Sequence, residues 1–233
     1  MFISHLSSLT ISYSFGPLVS RLPLDGLPSL LENLTTLTTS QTIDTSVPNT
    51  ALRAVITALP RPQSAQPQNH ETAMSYAAVS KVLIPRLTGA TPSESRRGSA
   101  VKGMLEKDPS KGFSSDAIDV LITTVDCFGP LLKEAELTAL ERSVMAIIDN
   151  DTAGTVVTKR ALAAISALVR HFSDGQINQF VSGLVKKLQD DDLSTIHRRH
   201  LIATIGSVAR SAPAKFGPHL ETLAPFVLSA VGE

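Results

Sequence analysis

His197 and His200 stand three positions apart, the spacing at which two imidazoles on one helical face can share a metal ion. No third ligand lies nearby, and Arg198 and Arg199 put positive charge between them. The plainer reading is a basic helical surface. The run Asp190-Asp191-Asp192 could hold a cation, but a turn joining two helices favours carboxylates for capping and for the helix dipole. Cys127, the single cysteine, sits on an apolar stretch ending at Phe128 with no His or Asp set to activate it. It reads as a packing thiol. Arg96-Arg97-Gly98-Ser99 has the form of a basophilic phosphorylation site, a form that is frequent in loops. There is no phosphate-cradling glycine loop, nucleophile elbow or paired-carboxylate pattern, so the expectation is no enzyme, no cofactor and no metal.

One charged feature recurs: Lys159-Arg160 and Arg198-Arg199. Two uses are open. Arg160 and Arg199 could form a structural ladder by bonding the acidic turns at Asp151 and Asp190. Lys159, His197 and Arg198 could instead face a bound protein on the concave side of stacked helices. Neighbours on a helix point about 100° apart, so both uses can coexist.

The elements that position these residues repeat. Ile177, Val181, Leu184 and Leu188 fall, 39 positions later, on Phe216, Leu220, Leu223 and Val227. Forty positions earlier they fall on Leu137, Glu141, Val144 and Ile148. This i, i+4, i+7, i+11 stripe marks an amphipathic helix. A second helix recurs between these, with Val157, Leu162, Ala164 and Val169 read 39 positions ahead onto Ile196, Leu201, Ala203 and Val208. A helix pair at this period fits the HEAT or armadillo class, whose units bury their apolar stripes by stacking. The expected fold is all-α, a HEAT/armadillo-like α-solenoid of stacked antiparallel helix pairs over residues 1–233.

Helices are expected over 4–14, 27–38, 45–59, 71–88, 114–128, 131–149, 155–172, 174–189, 193–211 and 216–231, with Ser114, Ser173 and Asp174 as cap-type residues. Phe-Gly-Pro occurs at 15–17, 128–130 and 216–218, each copy a junction between elements. Residues 60–70 form a Pro/Gln linker and 90–113 a polar insertion, both read as loops.

Composition supports this reading. Of 233 residues, 42% are hydrophobic but only 4% aromatic, which favours an aliphatic helix core. Lys plus Arg and Asp plus Glu are both 21, a balance that argues against nucleic acid as the partner. One cysteine, no apolar run of spanning length and no cationic leader lead to the expectation of a cytoplasmic or nuclear protein with no membrane partner.

Several strings carry a more specific likeness. Phe15-Gly-Pro-Leu-Val-Ser-Arg-Leu, Thr50-Ala-Leu-Arg-Ala-Val-Ile-Thr-Ala-Leu-Pro and Val79-Ser-Lys-Val-Leu-Ile-Pro-Arg-Leu-Thr come first. Ala117-Ile-Asp-Val-Leu, Thr158-Lys-Arg-Ala-Leu-Ala-Ala-Ile-Ser-Ala-Leu and His219-Leu-Glu-Thr-Leu-Ala-Pro-Phe-Val-Leu follow in the same order. In this order the chain resembles the N-terminal part of the cullin-associated, neddylation-dissociated proteins, the TIP120-type regulators. The resemblance implies a scaffold that grips an unmodified cullin and its RING-box subunit and serves substrate-receptor exchange. It also implies a second chain carrying the remaining HEAT repeats. The competing expectation is an importin-like or other HEAT-repeat adaptor, which the zero net charge disfavours.

Overall fold

The structure, a computed structural model, describes residue 17 and residues 21–39, 44–89 and 102–231. The expected helix over 4–14, the first Phe-Gly-Pro copy apart from Pro17, and Arg96–Ser99 lie outside the described residues. The chain divides into two compact units, Met1–Leu132 and Lys133–Glu233.

In the first unit, α1 (Leu27–Thr38) and α2 (Ser46–Ala58) form one helix pair. The next pair begins with α3 (His70–Ala78), a π-helical turn (Val79–Leu83) and α4 (Ile84–Thr88), and ends with α5 (Ser115–Phe128). The sequence suggested one unbroken helix over 71–88. Pro85 explains the wider turn. It has no N–H for the Lys81 carbonyl and its ring would crowd that carbonyl, so the helix widens and Ile84 N–H bonds Val79 O instead. The second members of the two pairs, α2 and α5, pack side by side. Arg53 links them by an ion pair to Asp119 at 3.7 Å and a hydrogen bond to Thr123 Oγ1 at 3.3 Å.

The linker after α2 is irregular, as expected, and Gln68 Nε2 closes it by donating to Arg61 O at 2.8 Å. The described part of the insertion is less polar in its role than its composition suggested. Met104 and Leu105 are buried, and their amides donate to Arg86 O and Leu87 O at 2.9 and 3.1 Å. Gly103 makes this docking possible. A Cβ there would lie 2.6 Å from Gly89 N and 2.8 Å from Thr88 C, both backbone atoms that cannot swing aside.

In the second unit, α6 (Glu134–Ile148) pairs with α7 (Thr155–Val169), and α8 (Asp174–Leu188) is followed by α9 (Thr195–Ser211). Helix α6 starts later than the expected 131, because Pro130 falls in a 3-10 turn (Gly129–Leu131) and Leu132 and Lys133 are extended. Glu136 Oε2 then accepts the Lys133 amide at 2.8 Å, closing the first turn. Ser173 caps α8 and Ser194 caps α9, each accepting an amide three residues on.

The expected helix over 216–231 is broken. A short turn of helix, α10 (Pro213–Phe216), and a 3-10 turn (Gly217–His219) precede α11 (Leu220–Val231). Phe216 is fully buried and meets Phe180 edge-on at 6.2 Å, and Phe180 meets Phe172 in the same manner at 6.1 Å. Gly217 and Pro218 turn the chain after that plug. Leu220, expected in the buried stripe, is 52% exposed because α11 starts afresh after the break.

Among the described residues there is no strand, only an isolated bridge between Asp108 and Gly112. Within each unit the described residues form an all-α, HEAT/armadillo-like arrangement of stacked antiparallel helix pairs.

Candidate protein-docking surface on the second helices

The repeat register decides which side chains face outward. Buried and exposed positions of α7 and α9 superpose at 40 residues, not at the 39 read for the second helices from sequence. Ala161, Ala164, Ile165 and Leu168 are buried, and so are Leu201, Thr204, Ile205 and Val208. The 39-residue reading was pulled off by an apparent Lys-Arg/Arg-Arg match. Core packing sets the true register, and it aligns Lys159 with Arg199 and Arg160 with His200.

This one-residue correction separates the expected contact residues. Lys159 is exposed on α7, and Arg199 takes its place on α9 with no hydrogen bond or ion pair to any described residue. Arg199 therefore does not form the expected ladder to Asp151 or Asp190. Arg198 is half-buried and donates Nη1 to Leu188 O at 3.2 Å, at the end of the preceding helix. His197 is drawn inward as well, its Nε2 lying 2.8 Å from Asp149 Oδ1. His200 Nδ1 lies 3.0 Å from Ile148 O, so the two imidazoles engage separate groups rather than a common centre. Arg160 is half-buried.

Asp149 is an acidic residue that joins successive repeats at two points, and sequence reasoning missed it. Its Oδ2 accepts Lys187 Nζ from α8 at 2.5 Å, while Oδ1 meets His197 of α9. Asp151 accepts Ser194 Oγ at 2.6 Å, so the residue that caps α9 also ties it to the turn of the repeat before. Asp190 accepts the Asp192 amide at 3.1 Å within its own turn. Further repeat-to-repeat bonds run from Ser173 Oγ to Glu134, from Gln176 Nε2 to Thr138 Oγ1 at 3.0 Å, and between Ser166 and Ser207 hydroxyls at 2.7 Å. Lys215 Nζ donates to Arg170 O and Phe172 O at 2.8 and 2.6 Å.

Among the described residues, burial raises the pKa of two groups. Glu141 on α6 is held above the ordinary carboxylate range by desolvation, opposed by the Arg142 and Lys187 charges. The Cys127 thiol, 3% exposed, is likewise pushed up by burial, opposed by Arg61, and so is a poor nucleophile. Among the described residues no helix is long and apolar enough to cross a membrane.

The outward faces of α7 and α9 thus carry matched residues. Val156 is 62% exposed and Ile196 49%, one turn ahead of Lys159 and Arg199. Val156 and Ile196 thus stand at equivalent positions of two helices that pack side by side, as stacked repeats place them. The class is a HEAT-type repeat scaffold. The chain belongs to the family described as the N-terminal part of cullin-associated NEDD8-dissociated protein 1, whose family model matches residues 26–233. It is 70% identical over 218 residues to a protein of Emericella nidulans named "Cullin-associated NEDD8-dissociated protein 1, N-terminal part". That match covers 94% of this chain and 64% of the relative's length.

Proposed function

We propose that this chain is a non-catalytic scaffold that binds the cullin–RING ubiquitin ligase core and takes part in its assembly control. The observation that carries the reading is the family match across residues 26–233, supported by the 70% identity to a relative whose name calls it cullin-associated. In this reading the chain grips the cullin and its RING-box subunit, contributes to substrate-receptor exchange, and acts beside a second chain bearing further repeats. It works in the cytoplasm or nucleus. Binding through the outward faces of stacked helices needs no catalytic group.

The test is co-purification of the tagged full chain with a recombinant unmodified cullin and its RING-box subunit, and with the same complex after NEDD8 conjugation. Retention of the unmodified complex, and weaker retention of the conjugate, is the expected result. A folded chain that recovers neither subunit overturns the proposal.

A further inference from the structure

Helices α7 and α9 contain no Asp or Glu, in a chain whose acidic and basic residues balance at 21 each. Their outward positions repeat at 40 residues as four rows that cross both helices. An apolar row (Val156, Ile196) is followed by a cation row (Lys159, Arg199), a small row (Ala163, Ala203) and a guanidinium row (Arg170, Arg210). All eight residues are exposed. The two helices pack side by side, held by the Ser166–Ser207 contact and by Ser211 Oγ donating to Ser166 O at 2.6 Å.

We propose that this face is a docking channel for an acidic α-helix of a partner protein, lying across α7 and α9 on Ala163 and Ala203. The dimensions fit that occupant. At 1.5 Å rise per residue the two cation rows stand roughly 16 Å apart along the helix axes, and a helix with its side chains is about 10–12 Å wide. Methyl groups at the small row let the incoming helix come close, while the cation rows flank it on both sides. Packed helices lie about 8–10 Å apart, which matches seven residues of a helix running across them. The partner helix then carries carboxylates at i and i+7 on its flanks and an apolar side toward the channel floor.

Nucleic acid fits less well. Four cations make a weak phosphate track, and exposed Val156 and Ile196 offer nothing to phosphates. The channel rests on the reading that this chain docks on a protein, and it adds which surface is used and what chemistry recognises it.

The experiment measures affinity of the full chain for the unmodified cullin–RING complex by biolayer interferometry, at two salt concentrations. It compares the wild type with Lys159→Glu/Arg199→Glu, with Ala163→Trp/Ala203→Trp, and with Lys186→Glu on exposed α8 as a control. Circular dichroism confirms that each variant is folded. Weakening of about tenfold or more in both double variants, with the charge variant's loss largest at low salt and the control unchanged, supports the channel. Unchanged binding by both double variants overturns it and leaves the cullin reading standing. If the wild type does not bind the complex, the cullin reading falls. A synthetic amphipathic helix with glutamates seven residues apart on both flanks then decides the channel. Binding lost in both double variants supports it, and no binding to the peptide overturns it. Binding of duplex DNA in preference to that peptide also overturns it.

Discussion

Replacing Asp149 by Ala removes a side chain that holds three helices of the second unit at a single point. Its two oxygens accept Lys187 Nζ at 2.5 Å and meet His197 Nε2 at 2.8 Å. The side chains of Asp149, Lys187 and His197 are 29%, 37% and 17% exposed, between a surface pair and a buried one. Exposed pairs contribute about 0.2–1 kcal/mol, and hydrogen bonds to charged groups about 1.5–3 kcal/mol. Lys187 can rehydrate after the substitution while His197 is more confined, so the two links together contribute about 1–2 kcal/mol. For a chain of this length that is a fall of about 2–8 °C in Tm. The assay is thermal unfolding followed by circular dichroism, with Asp149→Ala, Lys187→Met and the double variant forming a cycle. The cycle should show coupling that shrinks with added salt. A Tm within about 1 °C of wild type for Asp149→Ala refutes the reasoning, since a true junction between repeats cannot be removed at no cost.

Burial holds the Glu141 carboxyl above its ordinary range, so ionising it costs stability. That cost is absent below the ordinary carboxylate range and grows as pH rises through the raised value. Glu141→Gln should therefore raise Tm at pH 7 to 8, with the gain vanishing near pH 4, as read by scans across that pH range. Phe216→Ala empties a fully buried site against Phe180 and should cost about 3–5 kcal/mol, seen as a lower urea midpoint with little change in slope. Gly103→Ala forces a Cβ against the backbone of Thr88 and Gly89 and should cost about 1–3 kcal/mol. Hydrogen exchange should then quicken at the Met104 and Leu105 amides, which in the native chain donate to Arg86 O and Leu87 O.

Much of the fold was readable because the signals were periodic. Leu137, Val144 and Ile148 on α6, and Ile177, Val181, Leu184 and Leu188 on α8, are buried as an amphipathic stripe requires, while Glu141 of the same stripe is half-buried. The helix over Leu27–Thr38 has the bounds its apolar spacing suggested. What failed depended on single residues acting against a period. Pro85 widens a helix, and Gly217-Pro218 breaks another after Phe216 has already been committed to the core. The register of the second helices slipped by one because two basic doublets aligned better by type than by burial. Asp149 escaped notice for a related reason. Its counterpart 40 residues on is Gln189, so the junction it makes does not recur and no repeat comparison could reveal it. The exposed pair Val156 and Ile196 could have been found from sequence, since β-branched residues in the first turn lie opposite the apolar stripe once the 40-residue register is used.

The most direct measurement places a photo-crosslinking residue at Ala163, in the centre of the outward face of α7, and another at Ser182, exposed on α8. Each full-length chain is irradiated with the unmodified cullin–RING complex and the adducts are mapped by mass spectrometry. Adducts to the cullin or its RING-box subunit should form from position 163, through a segment rich in Asp and Glu, and few from position 182. Adducts from position 182 alone, with none from position 163, would contradict that expectation.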